Sequence, residues 1–231
     1  MNVAIIAAAG QGSRMGGECP KQFLELAGIP IIIHTLRAFE QCAVIQEIIV
    51  VLPAQEAAGF LSLAGKFSLQ KLVKVVPGGS TRAESVLRGL HAVRAATGEI
   101  VAVHDGVRPF VTSDEIAATV NAALVHEAAV LVAPAIDTIK EVEEGLVVRT
   151  LKRSQLRRAL TPQCFRYSLL RRAYEHADVL DPSLTDDSAI VEALGIRPMI
   201  VEGSPRNIKI TTLEDLAIAQ VLLKEMSEAR C

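Results

Sequence analysis

The chain has 231 residues, half of them hydrophobic but only 3% aromatic, with 24 Lys plus Arg against 26 Asp plus Glu. That near balance, with no tryptophan to stack bases, argues against broad nucleic-acid or membrane-surface binding, so any bound anion must meet a local cluster of cations. The length suits one α/β domain with an excursion, its core made of Ala, Val, Ile and Leu, the usual filling of a parallel sheet covered by helices. Cys19, Cys42, Cys164 and Cys231 are scattered without a Cys-x-x-Cys pair, which argues against both a disulfide framework and a zinc site and points to a reducing cytoplasm. The apolar start has no basic region before it and breaks at Gly10, and no apolar run approaches the ~18 residues of a membrane span.

Val3 to Ala9 reads as a buried strand that runs into a loop holding Gly10, Gly12, Gly16 and Gly17, with Arg14 inside it and Lys21 just beyond. Glycines let the backbone turn tightly and leave N–H groups free to face an anion, while the two cations add charge. A glycine-rich turn with solvated cations is the plainer alternative. The dinucleotide fingerprint would need glycine at Met15 and an acid at the end of the second strand, where Leu52-Pro53-Ala54 stands. The P-loop would need Lys and Ser or Thr after its second glycine, but Gly17 is followed by Glu18 and Cys19.

Further along, Pro30 to Cys42 predicts a helix with proline in its first turn, and Glu47 to Leu52 a strand. Ala54 to Phe67 reads as a helix and Leu72 to Val76 as a short strand. Thr81-Arg-Ala-Glu84 has capping-box spacing and predicts a helix to about Thr97. Ile100 to His104 is a strand, Thr112-Ser-Asp-Glu115 repeats the capping signature before another helix, and Ala129 to Ala133 is a buried strand. This alternation predicts a doubly wound, mostly parallel, Rossmann-like sheet. Ligands of such sheets sit beyond the carboxyl ends of the strands, where the loops Gly10 to Gly17, Gly78 to Arg82 and Asp105 to Pro109 converge.

Thr138 to Val142, the turn Glu143-Glu-Gly145 and Leu146 to Thr150 predict a β-hairpin, an arm at about 136–152. An isolated two-stranded hairpin is marginal, so it packs either on a second subunit, the simpler case, or on its own domain. Tyr167 to Asp178 and Asp186 to Leu194 read as helices, Pro198 to Glu202 and Asn207 to Thr211 as extended, and a helix closes the chain from Thr212. One domain over 1–231, with none following, is the expectation.

Asp105 ends a strand where a carboxylate could reach a divalent cation bridging phosphates, or only cap its own turn. His104 beside it is most simply a packed core residue, because the five histidines lack metal-ligand spacing. Arg14 and Lys21 could neutralise a triphosphate and the charge that builds on a phosphorus under attack. Lys152, Arg153, Arg157 and Arg158 form either a solvated face or, on an arm reaching a neighbour's cleft, a grip on a phosphorylated substrate. Lys209 lies in an apolar extended segment and needs a partner, such as a phosphate.

Ala7-Ala-Ala-Gly-Gln-Gly-Ser-Arg-Met15 with Pro20-Lys-Gln22 resembles the sugar-phosphate nucleotidyltransferases. Gly78-Gly-x-x-Arg82-x-x-Ser85-Val86, Val103-His-Asp-Gly-Val-Arg-Pro109, Asp137-Thr-Ile-Lys140, Thr161-Pro-Gln163, Thr185-Asp186 and Asn207-Ile-Lys-Ile-Thr211 narrow it. In this order, over nearly the whole chain, they resemble the 2-C-methyl-D-erythritol 4-phosphate cytidylyltransferases of non-mevalonate isoprenoid synthesis. The resemblance implies that Ala8, Ala9, Gly10, Gly12 and Gly106 border the CTP site, and that Gly79 and Ser85 hold cytosine. Arg14 and Lys21 would stabilise the transition state and Asp105 would bind Mg²⁺. Arg108, Thr138, Arg153, Thr185 and Lys209 would hold the sugar-alcohol phosphate, with Arg153 and Lys209 orienting its phosphate for attack. Thr138 and Arg153 would come from the partner's arm in a homodimer. Two departures stand out: Asp105-Gly-Val-Arg108 replaces the family's usual Asp-Ala-Ala-Arg, and Lys152 stands where the family has an acid. A ribitol 5-phosphate cytidylyltransferase and a non-catalytic nucleotide-binding protein are the alternatives.

Overall fold

The computed structural model describes residues 1–10, 20–94, 99–181 and 184–228. A seven-stranded sheet forms its centre, built from β1 (Val3–Ala7), β4 (Glu47–Leu52), β5 (Leu72–Pro77), β6 (Ile100–Asp105), β7 (Ala128–Pro134), β10 (Arg157–Arg166) and β11 (Met199–Glu202). The spatial order is β11-β7-β10-β6-β1-β4-β5, and every neighbouring pair is parallel except those of β10, which runs antiparallel to both β6 and β7. Two small hairpins lie outside it: β2 (Glu25–Leu26) with β3 (Ile29–Pro30), and β8 (Lys140–Glu143) with β9 (Leu146–Thr150).

Helices cover both faces, so the central strands are buried on both sides and read as continuous apolar runs. Side chains alternate across a strand. Ala4, Ile6, Ile48 and Val50 therefore pack on one face, against α1 (Ile31–Gln41), α2 (Ala54–Gly65) and α4 (Ser113–His126). Val3, Ile5, Ile49 and Val51 pack on the other, against α3 (Arg82–Ala92), α5 (Tyr167–His176) and α6 (Asp187–Glu192). A third cluster joins Leu26, Ile31, Val107, Phe110 and Ile210 to α7 (Leu213–Glu228).

The expected doubly wound α/β order is present, with differences at the ends and one in the middle. α3 stops at Ala92, and residues 95–98 of the expected helix lie outside the described residues. The Thr112 capping box is complete, whereas Thr81 accepts the Glu84 N–H but the Glu84 carboxylate goes to Ser80 and Arg88 instead of the cap. Asn207 to Thr211 joins no strand, because its backbone is tied to the Asp105–Phe110 loop instead. The main correction is β10, a ten-residue strand that no periodicity marks. It carries Pro162 inside it, and the ladder to β7 shifts register between Ala159 and Gln163, where proline has no N–H to give.

The arm turns at Glu144 and Gly145, both with positive φ, the conformation a two-residue hairpin turn needs and glycine accepts freely. All of β8 and β9 is exposed, including Val142, Leu146, Val147 and Val148.

Candidate active site

β1 and β6 lie side by side with Ala7 opposite Asp105. From β1 the chain builds outward through β4 and β5, then returns to the other side of β1 with β6, so the strand order reverses between them. Loops diverge at such a point and leave a crevice. A cleft of about 470 Å³ opens there, lined by Ala7, Ala8, Ala9, Gly10, Lys21, Gln22, Gly79, Ser80, Thr81, Arg82, Ser85, Asp105, Val107 and Lys209.

Asp105 is its electrostatic centre. It is buried, and both of its oxygens are engaged: Arg82 Nε lies 3.3 Å from Oδ1, while Arg108 Nε lies 3.2 Å and Lys209 Nζ 3.1 Å from Oδ2. Burial alone would raise the carboxyl pKa, but Arg82, Lys209 and Arg108 outweigh it and hold the group well below the usual carboxylate range. Arg82 also donates to Asp187 Oδ2 at 2.8 Å, and the fully buried Asp187 accepts the Tyr174 hydroxyl on Oδ1 at 2.6 Å. Burial pushes the Tyr174 phenol well up, and Asp187 adds to it, so the phenol remains a donor.

Behind Asp105 a chain of buried polar groups fixes the strand end. His104 Nε2 lies 3.2 Å from the Arg108 carbonyl, which can only accept, so Nε2 carries the proton. Nδ1 then accepts the Thr161 hydroxyl at 2.9 Å, and the Thr161 oxygen accepts the Asp105 N–H at 3.2 Å. Burial lowers the His104 pKa to about 3, so the ring is neutral, the packed residue expected from sequence.

Lys21 sits in a short 3-10 turn, Lys21–Phe23. Buried Gln22 donates to the Ala8 carbonyl at 2.7 Å, and Phe23 packs against Phe60, so the turn is pinned to the end of β1. Lys209 is delivered by a zipped pair of loops: Ile210 N–H donates to the Val107 carbonyl at 2.9 Å, and Arg108 Nη1 to the Asn207 carbonyl at 2.8 Å. The partner that Lys209 needs is, in this structure, Asp105.

On the far wall, Gly79 N–H donates to Ser85 Oγ at 3.0 Å, whose hydroxyl donates to the Thr81 carbonyl at 2.8 Å. Glu84 accepts the Ser80 N–H at 2.7 Å, and Arg88 donates to the Gly78 carbonyl at 2.7 Å, so this loop is clamped from behind. Gly106 donates to the Ala7 carbonyl at 2.9 Å, and a Cβ there would lie 2.7 Å from Ala8 Cβ. Glycine at this position therefore lets the loops after β1 and β6 approach closely.

Of the residues expected from sequence, Ala8, Ala9, Gly10, Lys21, Gly79, Ser85, Asp105 and Lys209 line the cleft. Gly106 and Arg108 lie behind Asp105, with the Arg108 guanidinium turned to Asp105 and Asn207. Thr138, Arg153 and Thr185 are exposed and are not among the lining residues, and Arg153 donates to the Ile136 carbonyl at the base of the arm. Gly12 and Arg14 lie outside the described residues. Sequence reasoning missed Arg82, Thr161, Gln163 and Asp187 as site-building residues. Arg82 and Thr161-Pro-Gln163 were visible as motif members, while nothing in the sequence marks Asp187.

Residues 2–225 match the family model described as 2-C-methyl-D-erythritol 4-phosphate cytidylyltransferase. The chain belongs to that family. A 2-C-methyl-D-erythritol 4-phosphate cytidylyltransferase of Pelotomaculum thermopropionicum is 44% identical over 223 residues, 96% of this chain and 93% of that one. One of Geobacter metallireducens is 42% identical over 225 residues, 96% of this chain and 97% of its own length. The crystal structure of 4-diphosphocytidyl-2C-methyl-D-erythritol synthase from Anaerococcus prevotii superposes with a TM-score of 0.86 at 31% identity, covering 97% of this chain and 96% of that one.

As a 2-C-methyl-D-erythritol 4-phosphate cytidylyltransferase family member, the chain is a nucleotidyltransferase, and its cleft has the parts such chemistry asks for. Cations stand ready for phosphate oxygens, and the positions are fixed by packed strands. Among the described residues, no group of three His, Cys, Asp or Glu side chains could hold a metal ion. One hard carboxylate suits a divalent cation that arrives with phosphate oxygens and water, as Mg²⁺ prefers, and does not suit a metal held by protein alone. Among the described residues no helix is long and apolar enough to cross a membrane.

Proposed function

We propose that this chain transfers CMP from CTP to 2-C-methyl-D-erythritol 4-phosphate, releasing pyrophosphate and forming CDP-methylerythritol. The observation that carries this is the Asp105 cluster: one ionised carboxylate flanked by Arg82, Arg108 and Lys209 at the strand-order reversal, with Lys21 on the same cleft. The acceptor phosphate attacks the α-phosphorus in line, and pyrophosphate leaves from the opposite side. No general base is needed, because a phosphate monoester is already largely dianionic at neutral pH.

Ala8, Ala9 and Gly10 border the triphosphate, and Gly79 and Ser85 face cytosine on the clamped loop. Lys21, with Arg14, meets the charge that develops on the phosphorus. Asp105 would hold Mg²⁺, which when bound neutralises phosphate oxygens that the protein's cations do not reach. Lys209 and Arg108 take the acceptor side, with Thr185 from the loop before α6. Thr138 and Arg153 lie on the exposed arm at about 136–152, and we assign them to a neighbour's cleft in a homodimer. The exposed apolar residues of β8 and β9 support this, since a lone hairpin with such a surface needs cover. The whole of 1–231 then acts as one nucleotidyltransferase domain. A cytoplasmic setting fits Cys42 and Cys164, both free and buried.

Pyrophosphate release from CTP with Mg²⁺ tests the assignment. Turnover with methylerythritol phosphate at least tenfold above ribitol 5-phosphate is expected. The reverse preference identifies the ribitol enzyme, and no release with either acceptor identifies a non-catalytic nucleotide-binding protein.

A further inference from the structure

Arg82 has no role in the scheme above, yet it holds the cleft's central carboxylate. It occupies the first position of α3, directly after the loop that faces the base, and its guanidinium joins two carboxylates from distant parts of the chain. The two contacts differ. Nη2 lies 2.8 Å from Asp187 Oδ2, while Nε lies 3.3 Å from Asp105 Oδ1. Arg108 and Lys209 both address the other oxygen, Oδ2, so among the described residues Arg82 is the side chain paired with Oδ1.

Asp187 is the fixed end of this bridge. It is fully buried, its Oδ1 accepts the Tyr174 hydroxyl, and its backbone N–H donates to Gln163 Oε1 at 3.0 Å. Arg82 can therefore leave Asp105 without becoming a desolvated, unpaired cation, an arrangement that would be strongly unfavourable. Among the described residues Arg108 pairs with no second carboxylate, and its Nη1 is committed to the Asn207 carbonyl.

We propose that Arg82 is a positioning residue that covers Oδ1 of Asp105 and withdraws onto Asp187 when metal-bound CTP arrives, leaving Oδ1 open to the ion. This rests on the assignment of the divalent cation to Asp105. It makes the Arg82–Asp187 pair a setting for metal affinity: Asp187 draws the guanidinium away from Asp105, and its loss returns that positive charge to the metal-binding carboxylate. The two residues should then act in opposite directions, although both belong to one buried network.

Electron paramagnetic resonance of Mn²⁺ with the full chain, alone and with CTP but no acceptor, reads this directly. Arg82→Gln should bind Mn²⁺ about fivefold more tightly than the parent, and Asp187→Asn about fivefold more weakly. In the double variant the Asp187→Asn effect should vanish, because the charge it releases is gone. A purely structural network predicts weaker binding in all three, and that result, or no change in Arg82→Gln, overturns the proposal. Should Asp187→Asn fail to fold by circular dichroism, Arg82→Lys replaces it: a retained cation should keep Mn²⁺ binding at or below the parent level while Arg82→Gln tightens it. Asp105→Asn separates the two levels. If Mn²⁺ binding survives that change, the metal assignment falls and takes the Arg82 role with it. If binding is lost but the Arg82 and Asp187 variants do not diverge, the Arg82 role alone falls.

Discussion

The cleft and the arm are built on opposite terms. Around Asp105 each functional side chain is held by several independent contacts: Lys21 through Gln22 and Phe23, Lys209 through the Val107–Ile210 and Arg108–Asn207 hydrogen bonds, and Asp105 through three cations and the Thr161 hydroxyl. On the arm, Thr138 and Arg153 flank a two-stranded ribbon exposed on all sides, held by cross-strand contacts such as the Arg149–Glu141 pair. The difference teaches that the cleft around Asp105 is preorganised by its own chain, whereas in the homodimer proposed above the acceptor side would be finished by whatever covers the arm.

The largest expected effect lies in the half that is already built. Lys21→Ala should lower turnover about 10²- to 10³-fold with an unchanged fold, as loss of a charge-stabilising donor does; steady-state pyrophosphate release checks it. A loss smaller than about tenfold, ~1.4 kcal/mol, removes Lys21 from the transition state.

The arm comes next. Arg153→Ala should be nearly inactive alone, but mixing it with Lys21→Ala and allowing subunits to exchange should restore about a quarter of parent activity, since half the dimers are mixed and each carries one intact site. If the mixture stays as inactive as its components, Arg153 serves its own chain's cleft and the contrast between the halves collapses.

The polar anchor behind Asp105 should act on stability rather than rate. His104 titrates near 6.5 when unfolded but near 3 when folded, so the unfolded chain binds the extra proton as pH falls between those values. Stability is therefore full above about pH 6.5 and is lost progressively toward pH 3, by about 2 to 3 kcal/mol at pH 4.5. His34, also lowered by burial, adds a slope of the same sign. His104→Gln should flatten the dependence of the urea midpoint between pH 7 and 4.5. An unchanged slope would mean that the ring is protonated in the folded protein.

Smallest is the clamp behind the Gly78–Arg82 loop. Glu84→Gln weakens the tie to Ser80 and the pair with Arg88, and should raise KM for CTP about threefold with kcat within twofold. An equal fall in kcat would place Glu84 in the reacting geometry instead.

Much of this was legible in the sequence because it followed from local rules. Gly10 after β1, the Thr112 capping box and the apolar runs of β4, β6 and β7 each had a near-neighbour cause, and Lys21, Asp105 and Lys209 were marked by their motifs. β10 was not legible. A strand buried on both faces shows no alternation, Pro162 is a residue that central strands rarely hold, and the antiparallel insertion between β6 and β7 is a tertiary outcome. With β10 went Thr161 and Gln163, and with α6 went Asp187, whose importance depends on Arg82 arriving from a residue more than a hundred positions away.

The polar chain behind Asp105 runs in one sense only, from the Asp105 N–H through the Thr161 hydroxyl to His104 Nδ1, and from Nε2–H to the Arg108 carbonyl. A ring proton locked in this way and shut off from solvent exchanges slowly, so His104 should give a resolved downfield proton signal and a single-tautomer nitrogen pattern in NMR spectra. It touches the loop that carries Asp105 without lining the cleft. The molecule thus contains its own spectroscopic gauge, able to register the filling of the nucleotide site with no label introduced and no lining residue changed.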